Sequence, residues 1–174
     1  IKNDAARTAE VWGVSAKGGD IRCTDATCTP LPTDVDLTNV AAISCGSSSC
    51  VVLKNDGNAY AWGLHGHGGD IDCGAGLVNN CTPLPSGVLT DGQVAAVSCG
   101  ANACVALKYD GIAYAWGRTG SGGDASTVDL TNVADISCGN NACVARKNDG
   151  TAEAWGDPAK GGDLPFSPFP FDPI

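Results

Sequence analysis

The sequence contains no methionine and is poor in cations and aromatic residues. Its 174 residues include ten Lys and Arg against 19 Asp and Glu, which gives a net charge of −9. Because nucleic-acid binding rests on clustered cations, this deficit argues against DNA or RNA as a partner. No apolar run approaches the roughly 20 residues that a membrane-spanning helix needs. We therefore expect neither a nucleic-acid partner nor a membrane span.

Two further absences bear on processing and on fold. A chain that opens at Ile1 and lacks methionine throughout is typical of a processed or excised product. No segment shows the 3.6-residue apolar periodicity of an amphipathic helix, so helical fold classes are not expected.

Cysteine, in contrast, is abundant, and the ten residues fall into five sequential couples, four spaced C-x4-C and one C-x7-C. Such couples are typical of a disulfide framework in an extracytoplasmic compartment. Zinc is the competing interpretation, but zinc ribbons use C-x2-C knuckles with four converging ligands. Spacing alone leaves other pairings open, yet its recurrence in register with a repeat favours local bridges. The cysteines are Cys23, Cys28, Cys45, Cys50, Cys73, Cys81, Cys99, Cys104, Cys138 and Cys143.

The strongest pattern is an internal repeat. Segments beginning at Val40, Val94 and Val133 share V-x-x-[IV]-S-C-G-x-x-x-C-V, then K-x-D-G, W-G and G-G-D. The opening IKNDAARTAEVWGVSAKGGD matches only the second half of this unit. After G-G-D, two units carry an insertion with cysteines and T-P-L-P, and insertions at a fixed point of a repeat predict loops on one face. The predicted organisation is a headless first repeat (1–39), repeats at 40–93, 94–132 and 133–163, and a tail (164–174).

Each unit predicts a small antiparallel meander. The runs V-A-A-I-S-C and C-V-A-L-K are short and apolar and stand beside glycine. The D-G step that follows indicates a hairpin, for which we expect a type I′ turn with positive φ at both central residues. In A-Y-A-W-G, Tyr60 and Trp62 share one face of the next strand. The predicted fold class is all-β, with tandem disulfide-stapled blades of three to four antiparallel strands, propeller-like or openly stacked.

The string V-x-x-I-x-C-G-x-x-x-C-V-x-L-K-x-D-G-x-x-Y-x-W-G resembles the repeat of the regulator-of-chromosome-condensation family. In that family each repeat supplies the strands of one propeller blade. Here W-G-x-x-x-x-G-G-D replaces W-G-x-x-x-x-G-Q-L-G, a variant similar to tandem repeats of secreted microalgal and protist proteins. The resemblance implies the fold; the loops that carry the namesake's nucleotide-exchange activity have no counterpart here, so it implies no function.

A family ring has typically about seven blades, at the upper part of the propeller range, whereas this chain supplies at most four. Either a larger ring forms from more than one chain, or the units join into an open assembly.

The tail, LPFSPFPFDPI, holds all three phenylalanines and four of the nine prolines. Such a segment is extended or polyproline-like. One hypothesis is that it crosses to the next subunit as in donor-strand complementation, a head-to-tail contact that grows a fibre. Alternatively, the tail packs on its own chain or begins a linker. The residues expected at an assembly contact are Phe166, Phe169, Phe171 and Ile174.

The sequence offers no convergent catalytic constellation. His65 and His67 occur in one repeat only, which loop variation explains better than catalysis. Asp70 and Asp72 are the best candidates for calcium, but an Asp in G-G-D more often caps a turn through its own side chain. We expect neither an enzymatic activity nor a cofactor.

Two other residue types suggest surface and core roles. Asn80 lies in the glycosylation sequon N-C-T. The four tryptophans (Trp12, Trp62, Trp116 and Trp155) are expected to pack between adjacent units, although exposure in a row would instead indicate carbohydrate binding.

The leading hypothesis is a structural subunit of an extracellular filament or surface assembly that polymerises with itself. The alternative is a secreted, propeller-like binding module for glycans or proteins.

Overall fold

A computed structural model describes residues 8–11, 22–23, 27–73 and 80–163. Apart from two 3₁₀ turns (Thr119–Ser121 and Pro158–Lys160), the regular elements of this part are strands, which confirms the all-β prediction. Trp12 and the four tail residues expected at an assembly contact lie outside the described residues. The strands are β1 (Cys28–Thr29), β2 (Val40–Cys45), β3 (Ser49–Lys54), β4 (Ala59–Leu64), β5 (Cys81–Thr82), β6 (Val94–Cys99), β7 (Ala103–Lys108), β8 (Ala113–Arg118), β9 (Val133–Cys138), β10 (Ala142–Lys147) and β11 (Ala152–Gly156).

The strands form three antiparallel sheets with the orders β1-β4-β3-β2, β5-β8-β7-β6 and β11-β10-β9. The full repeats at 40–93, 94–132 and 133–163 each supply three strands of one sheet, and we number these full repeats first to third, as we number the sheets. The fourth strand of the first two sheets comes from the insertion that precedes the sheet: Cys28 pairs with Leu64, and Cys81 with Arg118. The insertions were expected to be loops, so this pairing is a feature that the sequence analysis missed. The third sheet has three strands among the described residues.

The prediction of a type I′ turn at the D-G step is wrong. Gly57 has a φ of 79°, whereas none of the aspartates at this step has a positive φ. Gly57 N donates to Lys54 O at 3.1 Å, and Lys54 N donates to Asn58 O at 2.8 Å. The loop is thus a type I turn followed by a left-handed glycine. Asp56 Oδ1 accepts a hydrogen bond from Asn58 N at 2.9 Å, which holds the loop in this form.

The sheets pack face to face in chain order. We call the side of a sheet turned toward the next sheet its forward face. Val51 and Leu53 on the forward face of the first sheet are 0% and 4% exposed and belong to one apolar cluster with Val94 and Trp116 of the second. The second sheet repeats this contact against the third. The core therefore consists of layers between consecutive sheets.

Residues before the first sheet pack against part of its other side. Ala9 and Leu37 pack there with Val52. Ala9 N donates to Leu37 O at 2.8 Å, as Ala59 N donates to Leu89 O at 2.6 Å in the next unit. Residues 8–11 thus occupy the place of the last strand of a repeat, consistent with the repeat match of the opening sequence.

The ten cysteines form five local bridges. In each sheet, the C-x4-C bridge joins directly opposite residues of the first hairpin, for example Cys45 and Cys50. The other two bridges close the insertions that carry β1 and β5. The pairs are Cys23–Cys28, Cys45–Cys50, Cys73–Cys81, Cys99–Cys104 and Cys138–Cys143. A search of the described residues for a helix long and apolar enough to cross a bilayer found none.

Candidate assembly surface

The forward face of the third sheet, which we call the open face, has no following sheet in the described part of the chain. Val51 and Val105 at the same position of the first two sheets are fully buried, whereas Val144 is 38% exposed. Side chains alternate along a strand, and Cys143 and Ala145 contact the second sheet, so Val144 points to the opposite side. The open face therefore corresponds to the forward faces of the first two sheets, but it is exposed where they are buried.

Glycine sets the approach of consecutive sheets. A Cβ on Gly46 would lie 1.7 Å from Gly100 O, and a Cβ on Gly100 would lie 2.2 Å from Gly139 O. Any side chain at these two positions would therefore collide with the next backbone. Gly139 is the third member of the series, and the nearest atom to its Cβ would be Ala142 O at 3.7 Å. The open face retains the residue that permits close backbone contact.

Serine hydroxyls link the sheets across the same layer. Ser44 Oγ accepts a hydrogen bond from Cys99 N at 2.8 Å, and Ser98 Oγ accepts one from Cys138 N at 2.9 Å. Ser137 occupies the corresponding position of the third sheet and is exposed. Its hydroxyl is thus an acceptor that has no such donor within the described residues.

The tryptophans form a second link. Trp116 Nε1 donates to Gly68 O at 3.0 Å, and Trp155 Nε1 donates to Gly122 O at 2.8 Å. Trp62, Trp116 and Trp155 are all buried, with exposures of 0–2%, so they do not form an exposed carbohydrate-binding row. Gly161 stands in the third repeat where the two acceptor glycines stand, and it is exposed.

The open face also differs from the buried forward faces in charge. In the first sheet Ala42 lies directly opposite Leu53, and the second sheet has the same apolar pair. In the third sheet Asp135 lies opposite Arg146, and both are exposed. Charged residues at an exposed sheet end oppose unspecific association, so this face favours a partner with complementary charge.

The outer edge of the third sheet lacks a backbone donor that the first two sheets use to hold their fourth strand. His65 N and Thr119 N donate to Thr27 O and Asn80 O, both at 2.9 Å, where the fourth strand joins the first two sheets. The third repeat has Pro158 at this position. Proline has no N–H, so it removes the donor that this pairing uses. Addition of a strand in the manner of β1 and β5 would therefore lack this hydrogen bond at the third sheet.

An ion pair ties each D-G hairpin to the segment before its sheet. Lys54 Nζ lies 2.8 Å from Asp36 Oδ1, and Lys147 Nζ lies 2.5 Å from Asp129 Oδ2; Lys108 and Asp91 pair likewise. Hydrogen bonds from Lys54 and then Thr38 lower the pKa of Asp36 from 3.8 to about 2. Lys147 and then Thr131 lower the pKa of Asp129 in the same way, also to about 2.

The remaining predicted site residues lie apart from the open face. Asp70 Oδ1 accepts from Asp72 N at 2.9 Å, which is the turn-capping role weighed against calcium. The described residues contain no group of three or more His, Cys, Asp or Glu side chains placed to hold a metal ion. Asn80 is exposed, as the glycosylation hypothesis requires, and its peptide oxygen accepts from Thr119 N.

Three- to four-stranded antiparallel sheets packed face to face in chain order are the blades of a β-propeller-like fold. Residues 40–68 match the family model described as the regulator of chromosome condensation (RCC1) repeat. The chain therefore contains an RCC1 repeat within an RCC1-like propeller fold, as its repeat pattern predicts.

Similar solved structures share this fold. Human WBSCR16 is 24% identical with a TM-score of 0.50, and the match covers 71% of this chain and 34% of that one. Prp20p of Saccharomyces cerevisiae is 19% identical with a TM-score of 0.50, covering 69% and 34%. Yeast RCC1 (Prp20) bound to Kap60 is 18% identical with a TM-score of 0.54, covering 89% and 41%. The chain thus matches well under half the length of each of these proteins.

Proposed function

We propose that this chain is a structural subunit of an extracellular filament or surface assembly, whose copies join head to tail through the open face. Five disulfides among ten cysteines support an oxidising, extracellular compartment. The proposal gives the chain no catalytic role and no cofactor, and its partner is a second copy of itself.

The observation that carries the proposal is the recurrence of one interface. Each of the two buried sheet contacts has three parts: a glycine that lets the two backbones approach, a serine hydroxyl that accepts a hydrogen bond, and a glycine carbonyl that accepts one from a tryptophan. The open face presents the same three groups as Gly139, Ser137 and Gly161. A second copy is the occupant we favour, because this sequence already builds the matching contact twice. A contact between two different surfaces of identical chains does not close by two-fold symmetry, and repetition of it extends a row.

Two features shape how such copies would join. Pro158 opposes strand addition at the edge, which leaves stacking through the face. Asp135 and Arg146 make this contact more polar than the internal ones, so we expect assembly to weaken as ionic strength rises. The phenylalanines of the tail remain the predicted second contact with the neighbouring copy.

The substitution Gly139→Ala tests the proposal. Its Cβ meets no close atom within one chain, but it would meet the backbone of a stacked neighbour as a Cβ on Gly100 would. We expect an unchanged melting temperature and a loss of assembly, measured by negative-stain electron microscopy and light scattering on the oxidised full chain. Gly120→Ala, whose Cβ would have no atom within 4 Å, is the control and should assemble.

A second pair of variants checks the same face. Val144→Asp places a charge on the open face, whereas Tyr109→Asp places one on an exposed hairpin turn where Tyr109 is 69% exposed. We expect only the first to prevent assembly. Normal filaments from Gly139→Ala or Val144→Asp would contradict the proposal, and so would isolated monomers or closed discs of the wild-type chain under all conditions.

A further inference from the structure

A cleft lies between the outer parts of the first and second sheets, away from the open face. It has a volume of about 220 Å³ and is lined by Gly66, His67, Asn80, Cys81 and Arg118. One wall comes from the W-G-x-x-x-x-G-G loop of the first sheet, and the other from β5 and β8 of the second. The Cys73–Cys81 bridge anchors the β5 side, so part of the lining is covalently held.

The polar groups of the cleft are free to bind a ligand. Arg118 is exposed, and its guanidinium makes no ion pair or hydrogen bond with the described residues. In the unglycosylated chain the side-chain amide of Asn80 is likewise exposed and has no partner in that part of the chain. His67 Nδ1 lies 2.8 Å from the carbonyl oxygen of His65, which can only accept, so Nδ1 donates and Nε2 is left for a ligand.

The cleft is locally cationic in an acidic chain. The described residues of the lining include no carboxylate, although the whole chain has a net charge of −9. Among the described residues, Lys54, Lys108 and Lys147 form ion pairs with aspartates. Arg118 has no such partner in that part of the chain, so it offers an anion a local site that the overall charge does not provide.

The fold does not need these residues at these positions. Where the second repeat has Arg118, the first has Leu64 and the third has Asp157. Where the first repeat has His67, the second has Ser121. Leu64 and Arg118 both end a strand, and the glycine-rich loop follows in both repeats, so a structural role does not account for the combination. Among the three repeats described, Arg118, Asn80 and His67 come together only between the first and second sheets.

We propose that this cleft binds one acidic sugar residue, with Arg118 on its carboxylate or sulfate group and Asn80 and His67 on its hydroxyls. A guanidinium presents two parallel N–H donors that match the oxygens of either anion. An amide and a ring nitrogen supply the mixed donors and acceptors that hydroxyls require. The cleft is smaller than the sites of drug-sized ligands, which fits a single sugar ring. This inference does not depend on assembly through the open face.

The test is isothermal titration calorimetry of the oxidised full chain with glucuronate, glucose 6-sulfate, glucose and inorganic sulfate. We expect one or both acidic sugars to bind more tightly than glucose and than inorganic sulfate, and the tighter of the two identifies the anion. Arg118→Leu, which introduces the residue of the first repeat, should weaken that binding about tenfold or more, because charge-assisted hydrogen bonds are lost.

Lys160→Ser is the matched control, because it removes an exposed cation and introduces the residue of the second repeat, Ser121. It should bind the acidic sugars as the wild type does. The inference would be overturned if glucose or inorganic sulfate bound as tightly as the acidic sugars, or if no acidic sugar bound. It would also be overturned if both variants lost the same amount of affinity. Arg118→Leu should still assemble, so a failure here is distinguishable from a failure of the open-face proposal.

Discussion

Glycines 46, 100 and 139 show how one residue type sets the distance between sheets. At Gly100 the missing side chain leaves room for Gly139 O, which would lie 2.2 Å from a Cβ. We predict that Gly100→Ala lowers the free energy of unfolding by about 1–3 kcal/mol, because the collision is with backbone and one sheet must shift. Urea denaturation with the disulfides intact measures this change.

Gly139→Ala provides the comparison for that experiment, since it makes the same substitution in the same motif with no atom closer than 3.7 Å. Its stability in the unassembled chain should match that of the wild type. Equal effects of the two substitutions would show that the glycines act through backbone flexibility rather than through the approach of the next sheet.

At the residue scale, the sequence predicted which side chains recur but not what they contact. The burial of Trp62, Trp116 and Trp155 follows from a large apolar residue recurring on one face of a strand. The hydrogen bond of Ser44 to Cys99 N could not be predicted, because it depends on how closely two sheets approach. That distance is set by tertiary packing and not by any local pattern.

At the scale of elements, the ion pairs link hairpins to the segments before them and predict a response to acid. The pKa of Asp36 and of Asp129 is about 2 in the folded chain, below the ordinary value of 3.8. A folded-state pKa that is depressed adds stability above about pH 4, and this contribution is lost as the pH falls toward 2. We predict a loss of stability in that window.

Thermal denaturation between pH 5 and 2 measures this effect. Asp129→Asn should flatten the dependence of the melting temperature on pH, because the lysine then has no carboxylate to lose. Asp34→Asn, an exposed aspartate without an ion pair in the described residues, should leave it unchanged. A profile for Asp129→Asn that follows the wild type would refute the assignment.

The elements themselves were predicted unevenly. The three strands of each repeat follow from short apolar runs between glycines, and the structure has them in that order. The two-residue strands β1 and β5 were missed because C-T-P carries too few residues for a periodic pattern. The turn type was wrong because the D-G step was taken to need two left-handed residues, whereas the side chain of Asp56 stabilises a right-handed turn.

At the scale of the whole molecule, the tail gives a further prediction. Removal of residues 164–174 should abolish assembly while the three sheets stay folded, because the tail holds the phenylalanines expected to anchor a neighbouring copy. Electron microscopy reports the assembly, and circular dichroism with a free-thiol assay reports the fold. Truncated chains that still form filaments would show that the open face alone is sufficient.

The sequence predicted the repeat architecture, but not the features of the open face. Whether the last face would be capped or open depends on residues that break the repeat, namely Asp135, Arg146 and Pro158. The effect of these residues can be seen only in the structure, where Asp135 lies opposite Arg146 and Pro158 occupies the position of a backbone donor at the sheet edge. Residues that depart from the repeat carry no periodic pattern from which their contacts could be predicted.

The origin of the fourth strands has a consequence for how the protein is made. Because β1 and β5 precede the sheets that they complete, each of the first two sheets already has all four strands when its own repeat leaves the ribosome. Folding can therefore keep pace with synthesis, one sheet at a time, and each local disulfide can form in turn. At every stage the most recently made face is the one still uncovered, so under the proposed assembly that face would be newly folded when a second copy meets it.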